Sequence, residues 1–488
     1  MRNAARWMRR GLVPFVVMLS LLFTLHCARD YVTGKRTFTL ITEADEIALG
    51  READPQILAE FGVYDDPRLV AYVDEIGQAI ARVSHRPNLK YTFRVVDSPV
   101  VNAFALPGGW VYFTRGILAH FNSEAELAGV MGHEVGHIVA RHGAEQLSRA
   151  QLAGLAIGIG AALSPEFRKF SKFAQVGIGL LFLKFSRDQE SESDRLGVEY
   201  ATRLGYNAHE MANFFKTIAR LSEKSGGSIP TFLSTHPNPR DREARIHELT
   251  REWQQKIEFQ PKNLRRIDYL RRIDGIVYGK DPRQGFVESG IFYHPQMRFQ
   301  FPVPDRWQVK NTPASVQMSD PRQAAAIQLT LAKAATPEEA AQQFIANSKA
   351  TVLEQRALRI HGLPAVRLHS RVSNRGDTLE VRSHFIRKGQ TVFVFHGFTT
   401  PDQMLKYRPV FDHVARGFDR LRNMAALKKK PWRVQIRRLA RPGTLQQVFT
   451  RYRMPRDRYE ELAILNGLEL NDRVKKGQWV KLLTRRSE

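Results

Sequence analysis

His133 and His137 stand four residues apart in the run Met131-Gly-His-Glu-Val-Gly-His137, with Glu134 beside the first of them. On an α-helix of about 3.6 residues per turn, positions i and i+4 share a face, so the two imidazoles converge on one point and the glutamate stands next to it. Imidazole is a zinc ligand, and a glutamate placed beside a metal-activated water is the general base of a metal-dependent hydrolase. With 15 His in 488 residues, a blind His-Glu-x-x-His match is expected in about 3% of such chains, so the surroundings have to support the reading.

A catalytic zinc needs a further protein ligand and keeps one position open for water or substrate. Phe185 to Tyr200 reads as a second helix, on which Glu190 and Asp194 of the run Glu190-Ser-Glu-Ser-Asp194 share a face. Glu190 is then the third ligand, and Asp194 holds a ligand imidazole by its free N–H. Glu192 points elsewhere. His142 and Glu145 are weaker ligand candidates, because their offsets from His137 suit a shared metal badly on a continuous helix.

The elements that must position these groups can be read around them. Ser123, followed by Glu126, is a capping-box start, and Leu127, Val130, Met131, Val135 and Ile138 make the helix apolar over much of its surface, so it is expected to be buried. Buried polar groups without partners cost about 1 to 3 kcal/mol each, and a metal satisfies both histidines and the glutamate together. Tyr91 to Asp97, Val100 to Ala105 and Trp110 to Phe113 read as strands with a turn at Pro107-Gly108-Gly109. An exposed edge among them would take an extended peptide through main-chain hydrogen bonds. Gln151 to Leu163 and Phe173 to Phe185 are apolar but shorter than the roughly 20 residues a membrane span needs, and read as a buried hairpin covering the site, with a mobile lid or membrane-dipping plug as the alternative.

Together these runs resemble the gluzincin metallopeptidase family numbered forty-eight, which includes the CAAX prenyl proteases and bacterial periplasmic quality-control proteases. The resemblance rests on Gly132-His-Glu-Val-Gly-His137, Ser186-Arg-Asp-Gln-Glu-Ser-Glu-Ser-Asp194, Thr235-His236-Pro237 and Arg242, and covers roughly residues 33 to 250. Asn102-Ala103-Phe-Ala-Leu-Pro-Gly-Gly109 is similar to the family's edge strand beside the active site, which makes Asn102 and Ala103 substrate-binding candidates. Val32-Thr-Gly-Lys-Arg36 and Glu46-Ile-Ala-Leu-Gly50 resemble the start of its periplasmic branch. The resemblance implies one zinc per chain on His133, His137 and Glu190, with Glu134 as general base and His236 and Arg242 near the reacting carbonyl as catalytic groups. His236 alternatively closes the fourth metal position as a latch.

The expected activity is a metalloendopeptidase of the cell envelope acting on misfolded or misassembled proteins. The rival readings are a non-catalytic scaffold or chaperone and a zinc amidase acting on peptidoglycan. Arg2, Arg6, Arg9 and Arg10 precede an apolar run from Gly11 to Leu25, shaped as a secretory signal, so the chain is expected to be exported to the periplasm. Cys27 is the only cysteine, which excludes an internal disulfide. Its place just after the apolar run suggests lipidation and an outer-membrane anchor, although His26 departs from the usual residue before a lipidated cysteine.

The expected fold class is α+β: a mainly helical zincin catalytic domain with a small antiparallel sheet over 28–255, an α+β domain of unknown role over 256–425, and a small α+β module over 426–488, after a leader over 1–27. In the middle segment Met297, Phe299 and Phe301 alternate as in a strand, Thr336-Pro337 with Glu339 opens a helix, and Arg387-Lys-Gly-Gln390 joins two strands as a hairpin. His294, His361, His369, His384 and His396 lack metal spacing and read as structural or surface residues. The last segment, with Arg441-Pro-Gly-Thr-Leu445, Leu462-Ala-Ile-Leu-Asn-Gly467 and Lys476-Gly477-Gln478, resembles a LysM-type peptidoglycan-binding module, with Gly-Thr-Leu in place of the usual Gly-Asp-Thr-Leu. A net charge of +25 attracts polyanions, which for an exported protein means an anionic envelope surface rather than nucleic acid.

Overall fold

Ser123 starts the helix that carries the histidine pair: its hydroxyl accepts from the Glu126 N–H at 3.2 Å, while the Glu126 carboxylate accepts from the N–H of Asn122 at 2.8 Å. The reciprocal bond of the expected capping box therefore lands one residue ahead of the cap. In the computed structural model, which describes residues 27–29, 31–34, 36–157, 184–224, 232, 236, 240–261, 266–374 and 377–485, this helix spans Glu124–Val139, and all of its residues are buried. The leader, most of the two apolar stretches after Gln151, and Thr235 and Pro237 lie outside the described residues. Among the described residues no helix is long and apolar enough to cross a membrane.

The described chain divides into two compact units. The first begins with a short antiparallel pair, β1 (Cys27–Arg29) and β2 (Arg36–Phe38). Helices α1 (Glu43–Phe61) and α2 (Pro67–Val83) follow, then strands β3 (Thr92–Val96), β4 (Ala103–Leu106) and β5 (Trp110–Thr114), and then α3 (Arg115–His120) and the buried helix α4 (Glu124–Val139). After α5 (His142–Ile157) come α6 (Arg187–Arg203), α7 (His209–Lys224), α8 (Arg240–Lys256), α9 (Arg266–Arg272) and β6 (Val277–Tyr278). The helix foreseen from Phe185 is thus present two residues later, opened by a full capping box between Ser186 and Gln189.

The small sheet is mixed rather than antiparallel. Its strand order is β3-β5-β4, with β3 parallel to β5 and β4 antiparallel to it. The chain passes β4 at the far edge before returning to the centre with β5, so β3 and β5 run the same way; the alternation of apolar residues carries no information about that direction. Gly108 and Gly109, at φ +83° and +108°, make the β4–β5 turn in the left-handed region that glycine tolerates.

Residues 433–484 belong to this first unit. They run strand, helix, helix, strand: β18 (Trp432–Arg438) and β21 (Trp479–Thr484) pair antiparallel and share a sheet with β6, and between them lie α13 (Leu445–Arg451) and α14 (Tyr459–Leu465). The sequence boundary before 426 separates in writing what clusters together in space.

The second unit, mainly residues 280–432, is built on a seven-stranded antiparallel sheet whose long members include β15 (Asp377–Lys388) and β16 (Thr391–Thr399). One face packs Ile327, Leu329, Phe393 and Phe395 against Phe292, Phe299, Phe301 and the helix α11 (Met404–Arg416). The other packs Val366, Leu368, Phe385 and Val394 under α10 (Pro337–Ser348), which Thr336 caps by accepting from the Glu339 N–H. The β15–β16 hairpin turns at Gly389, and His384 and His396 are buried in this sheet.

Two glycines set how closely α4 and α6 approach. A Cβ on Gly197 would lie 2.9 Å from the backbone N of His133 and 3.0 Å from the carbonyl oxygen of Gly129, and one on Gly132 would lie 3.0 Å from the Cα of Gly197. Backbone atoms cannot step aside as a flexible side chain can. Gly197→Ala should therefore push the helices apart, costing about 1 to 3 kcal/mol in overpacking against a propensity gain of about 1 kcal/mol. The expected result is a lowered melting temperature together with weakened zinc retention in a chelator competition. A variant that keeps both would show that the close approach is incidental.

Candidate zinc site

Because α4 and α6 touch at backbone level, their polar side chains meet in the interior. His133 Nε2 lies 3.0 Å from His137 Nε2, and the Glu190 carboxylate reaches 3.6 Å from the first and 3.5 Å from the second. His236 brings its Nδ1 to 2.8 Å from Glu190 and 3.3 Å from His133 Nε2. Ligand atoms of these residues all lie within 4.8 Å of one another, and all four side chains are buried. Among the described residues no other group of three or more potential ligands forms such a cluster.

The outer hydrogen bonds determine which nitrogens face the centre. His133 Nδ1 donates to Asp194 at 2.9 Å, so its Nε2 presents a lone pair inward. Arg242 in turn grips Asp194 with two bonds, from Nε at 2.7 Å and Nη2 at 2.6 Å, and its Nη1 pairs with Glu190 at 3.0 Å. From sequence Arg242 was expected beside the reacting carbonyl; in the fold its guanidinium is directed at two carboxylates and lies 4.1 Å over the Phe215 ring.

The electrostatics suit a cation. Burial alone would raise the Glu190 carboxyl, but His236 and Arg242 overrule it and hold it well below its usual range. Burial likewise opposes ionisation of Asp194, and the Arg242 guanidinium and His133 reverse that. Desolvation keeps the His137 imidazole well below its usual pKa, hence neutral and able to ligate. Glu134 differs from both acids: burial raises it, the neighbouring His236 and His133 only partly compensate, and both carboxylate oxygens are buried without a hydrogen-bond partner. Imidazole and carboxylate donors at tetrahedral-edge separations, with outer partners fixing the tautomers, fit zinc, whose ligand bonds are about 2.0 to 2.2 Å.

β4 is an edge strand of the mixed sheet and packs against α4. Ala103 is buried at its start, and Asn102, just before it, is buried with its Oδ1 lacking a partner. Cys27 opens β1, far along the chain from this centre, with no described role in it.

Sequence reasoning passed over three neighbours of the centre. His142 brings Nδ1 to 2.9 Å from His137 Nδ1, and Glu192, read as pointing elsewhere, lies 3.3 Å from His142 Nε2. Phe185 stacks on the His137 ring with centroids 4.0 Å apart. Helical periodicity discounts His142 because it assumes one continuous helix. Instead α4 ends at Val139, and Arg141 turns the chain at φ +58°, fixed by Glu46 at 2.6 Å and the Ile41 carbonyl at 2.7 Å. The Glu46 run carried part of the signal, but not the fact that its carboxylate anchors this turn.

A buried pair of helix-borne histidines, a carboxylate from a second helix and a glutamate between them that accepts no hydrogen bond define a metallopeptidase of the His-Glu-x-x-His class. Residues 67–250 match the model of peptidase family M48. The mitochondrial metalloendopeptidase OMA1 of Schizosaccharomyces pombe is 30% identical over 230 residues, covering 46% of this chain and 67% of that one. OMA1 of Arabidopsis thaliana is 33% identical over 180 residues, 37% of this chain and 36% of its own. The beta-barrel assembly-enhancing protease of Yersinia pestis is 30% identical over 209 residues, 40% of this chain and 42% of its own. The chain thus spans less than half of the last two relatives. It belongs to peptidase family M48, its class is zinc metalloendopeptidase, and His133, His137, Glu190 and His236 form the cluster able to hold the metal.

Proposed function

We propose that this protein cleaves extended segments of misfolded or misassembled proteins in the bacterial cell envelope, with zinc on His133, His137 and Glu190 and with Glu134 as general base. The observation that carries the reading is the Glu134 carboxylate, buried and accepting no hydrogen bond beside a complete donor set. Zinc bound there supplies Lewis acidity toward the scissile carbonyl and makes the attacking water more acidic. Glu134 accepts that water's proton on a carboxylate oxygen and delivers it to the leaving amine; the upward push of burial strengthens its hold on a proton and so favours the first transfer. Asp194 and Arg242 hold His133 and Glu190 in place. The β4 edge, from Asn102 and Ala103 onward, lays an extended substrate alongside α4 by strand addition, a mode that favours unfolded chains.

His236 serves as a latch in this reading, lying against Glu190 and 3.6 Å from Glu134 until substrate displaces it. The leader-like N-terminus, Cys27 as a lipidation site and the charge of +25 support export to the periplasm and attachment to an anionic outer-membrane surface. The strand-helix-helix-strand order of residues 433–484 supports a LysM-like module that holds the enzyme near peptidoglycan.

Purified protein incubated separately with casein and with peptidoglycan tests the reading. Casein should be cleaved, cleavage should stop with a chelator and return with zinc, and His236→Ala should cleave faster than the parent. Cleavage of peptidoglycan alone would favour the amidase, and intact casein with both parent and His236→Ala in zinc would favour a scaffold. A slower His236→Ala would make His236 a donor to the reacting carbonyl instead of a latch.

A further inference from the structure

The two histidines of α4 have unequal outer partners. His133 Nδ1 meets a carboxylate, Asp194, whereas His137 Nδ1 meets another imidazole, His142, at 2.9 Å with ring centroids 5.1 Å apart. His142 is buried, opens α5, and has its far nitrogen Nε2 3.3 Å from the Glu192 carboxylate; the Ser193 hydroxyl flanks its Nδ1 at 3.3 Å. Beyond Glu192 stands Arg195, a partly exposed cation 4.0 Å from that carboxylate.

Proton accounting fixes the direction of the chain. For His137 to present a lone pair at Nε2, its Nδ1 must carry the hydrogen and donate it. His142 Nδ1 must then be the acceptor, which leaves the His142 hydrogen on Nε2, pointing at Glu192. We propose that His142 is the positioning residue of the second zinc ligand: it fixes the tautomer and ring orientation of His137, and Glu192 fixes the tautomer of His142. Outer partners of this kind typically set metal affinity by a factor of about 10 to 100. An imidazole acceptor draws less electron density into its ligand than a carboxylate does, so His133 and His137 are electronically distinct ligands of one metal. The inference rests on the metallopeptidase reading above and adds a residue that does not itself touch the metal.

The test is zinc affinity by chelator competition on the full chain, alongside the visible spectrum of the cobalt-substituted protein and the melting temperature of the metal-free form. His142→Leu removes the acceptor and should weaken zinc by roughly 10- to 100-fold and shift the cobalt bands, with little change in metal-free melting. His142→Asn keeps an acceptor oxygen and should recover most of the affinity. Glu192→Ala, on a partly exposed side chain, should show a smaller loss in the same direction. Zinc affinity of His142→Leu within twofold of the parent, or equal losses in the Leu and Asn variants, would overturn the proposal. If His142→Leu fails to fold, Glu192→Ala decides: reduced affinity supports the relay and unchanged affinity sinks it. A parent chain that binds no zinc would instead overturn the metallopeptidase reading, which keeps the two failures apart.

Discussion

Glu134→Gln is expected to keep its zinc and its fold while losing casein hydrolysis by about 1,000-fold or more. Glutamine has the shape of glutamate but cannot accept a proton, and a positioned general base contributes on the order of 100- to 10,000-fold. Neither of the other buried carboxylates described at the centre can substitute, because Glu190 is paired with His236 and Arg242, and Asp194 with Arg242 and His133. The same change should not destabilise the protein. Burial raises the Glu134 carboxyl, so the folded state resists its ionisation. Whatever stabilisation that group gives is present at acidic pH, below its unfolded value, and disappears as pH rises through its folded one. At neutral pH an uncharged amide removes that cost, and the melting temperature should be no lower than the parent's. The measurements are casein turnover, zinc content and thermal melting on the same preparation. Activity within tenfold of the parent would remove Glu134 from the mechanism, and loss of zinc would make it a structural group of the site.

The site was legible in the sequence where spacing and chemistry coincide. His133 and His137 sit one helical turn apart, and Glu190 and Asp194 repeat that interval on a second helix, so each pair had to share a face whatever the tertiary fold. What local pattern could not supply was the joining of those faces. Gly132 and Gly197 bring the two helices to backbone contact, and a glycine in a helical run does not announce the partner it approaches. His142 was discounted for the same reason: the left-handed turn at Arg141 is imposed by Glu46, a residue 95 positions earlier, and an i+5 offset has meaning only if the helix continues.

The fold divides along similar lines. The Thr336 cap and the β15–β16 hairpin depend on neighbours a few residues away, and both are present as read. Strand direction in the β3-β5-β4 sheet depends on the order in which the chain visits its positions, which alternation cannot encode. The clustering of residues 433–484 with the catalytic helices is longer-ranged still. A charged stretch of Lys428, Lys429 and Lys430 looks like a linker in one dimension, and only the contacts beyond it show what the following segment packs against.

One of those contacts should dominate the stability of the catalytic unit. Lys481 of β21 is fully buried, and its ammonium donates to the carbonyls of Ala119 at 2.8 Å, Phe121 at 2.6 Å and Leu465 at 3.1 Å. The first two lie at the end of α3, immediately before the Ser123 cap of the zinc helix, and the third closes α14, so one side chain ties the last strand to the start of α4. Burial pushes the Lys481 ammonium well down from its usual range, with the charge of Glu126 opposing, and the same burial pushes Glu126 up to about 8. Lys481→Met preserves length and apolar stem but leaves these three carbonyls without their donor. A buried acceptor left without its donor costs about 1 to 3 kcal/mol, and three carbonyls lose theirs here, a fall of roughly 10 °C in melting temperature for a unit of this size. Adding Glu126→Gln should change little further at neutral pH, because burial already holds the Glu126 carboxyl up at about 8 and the Asn122 N–H can still find the amide oxygen. The loss should extend to zinc retention, since it acts at the first turn of the helix that carries His133 and His137. A Lys481→Met protein that melts within a degree or two of the parent and holds zinc equally well would show that residues 433–484 merely rest on the catalytic unit.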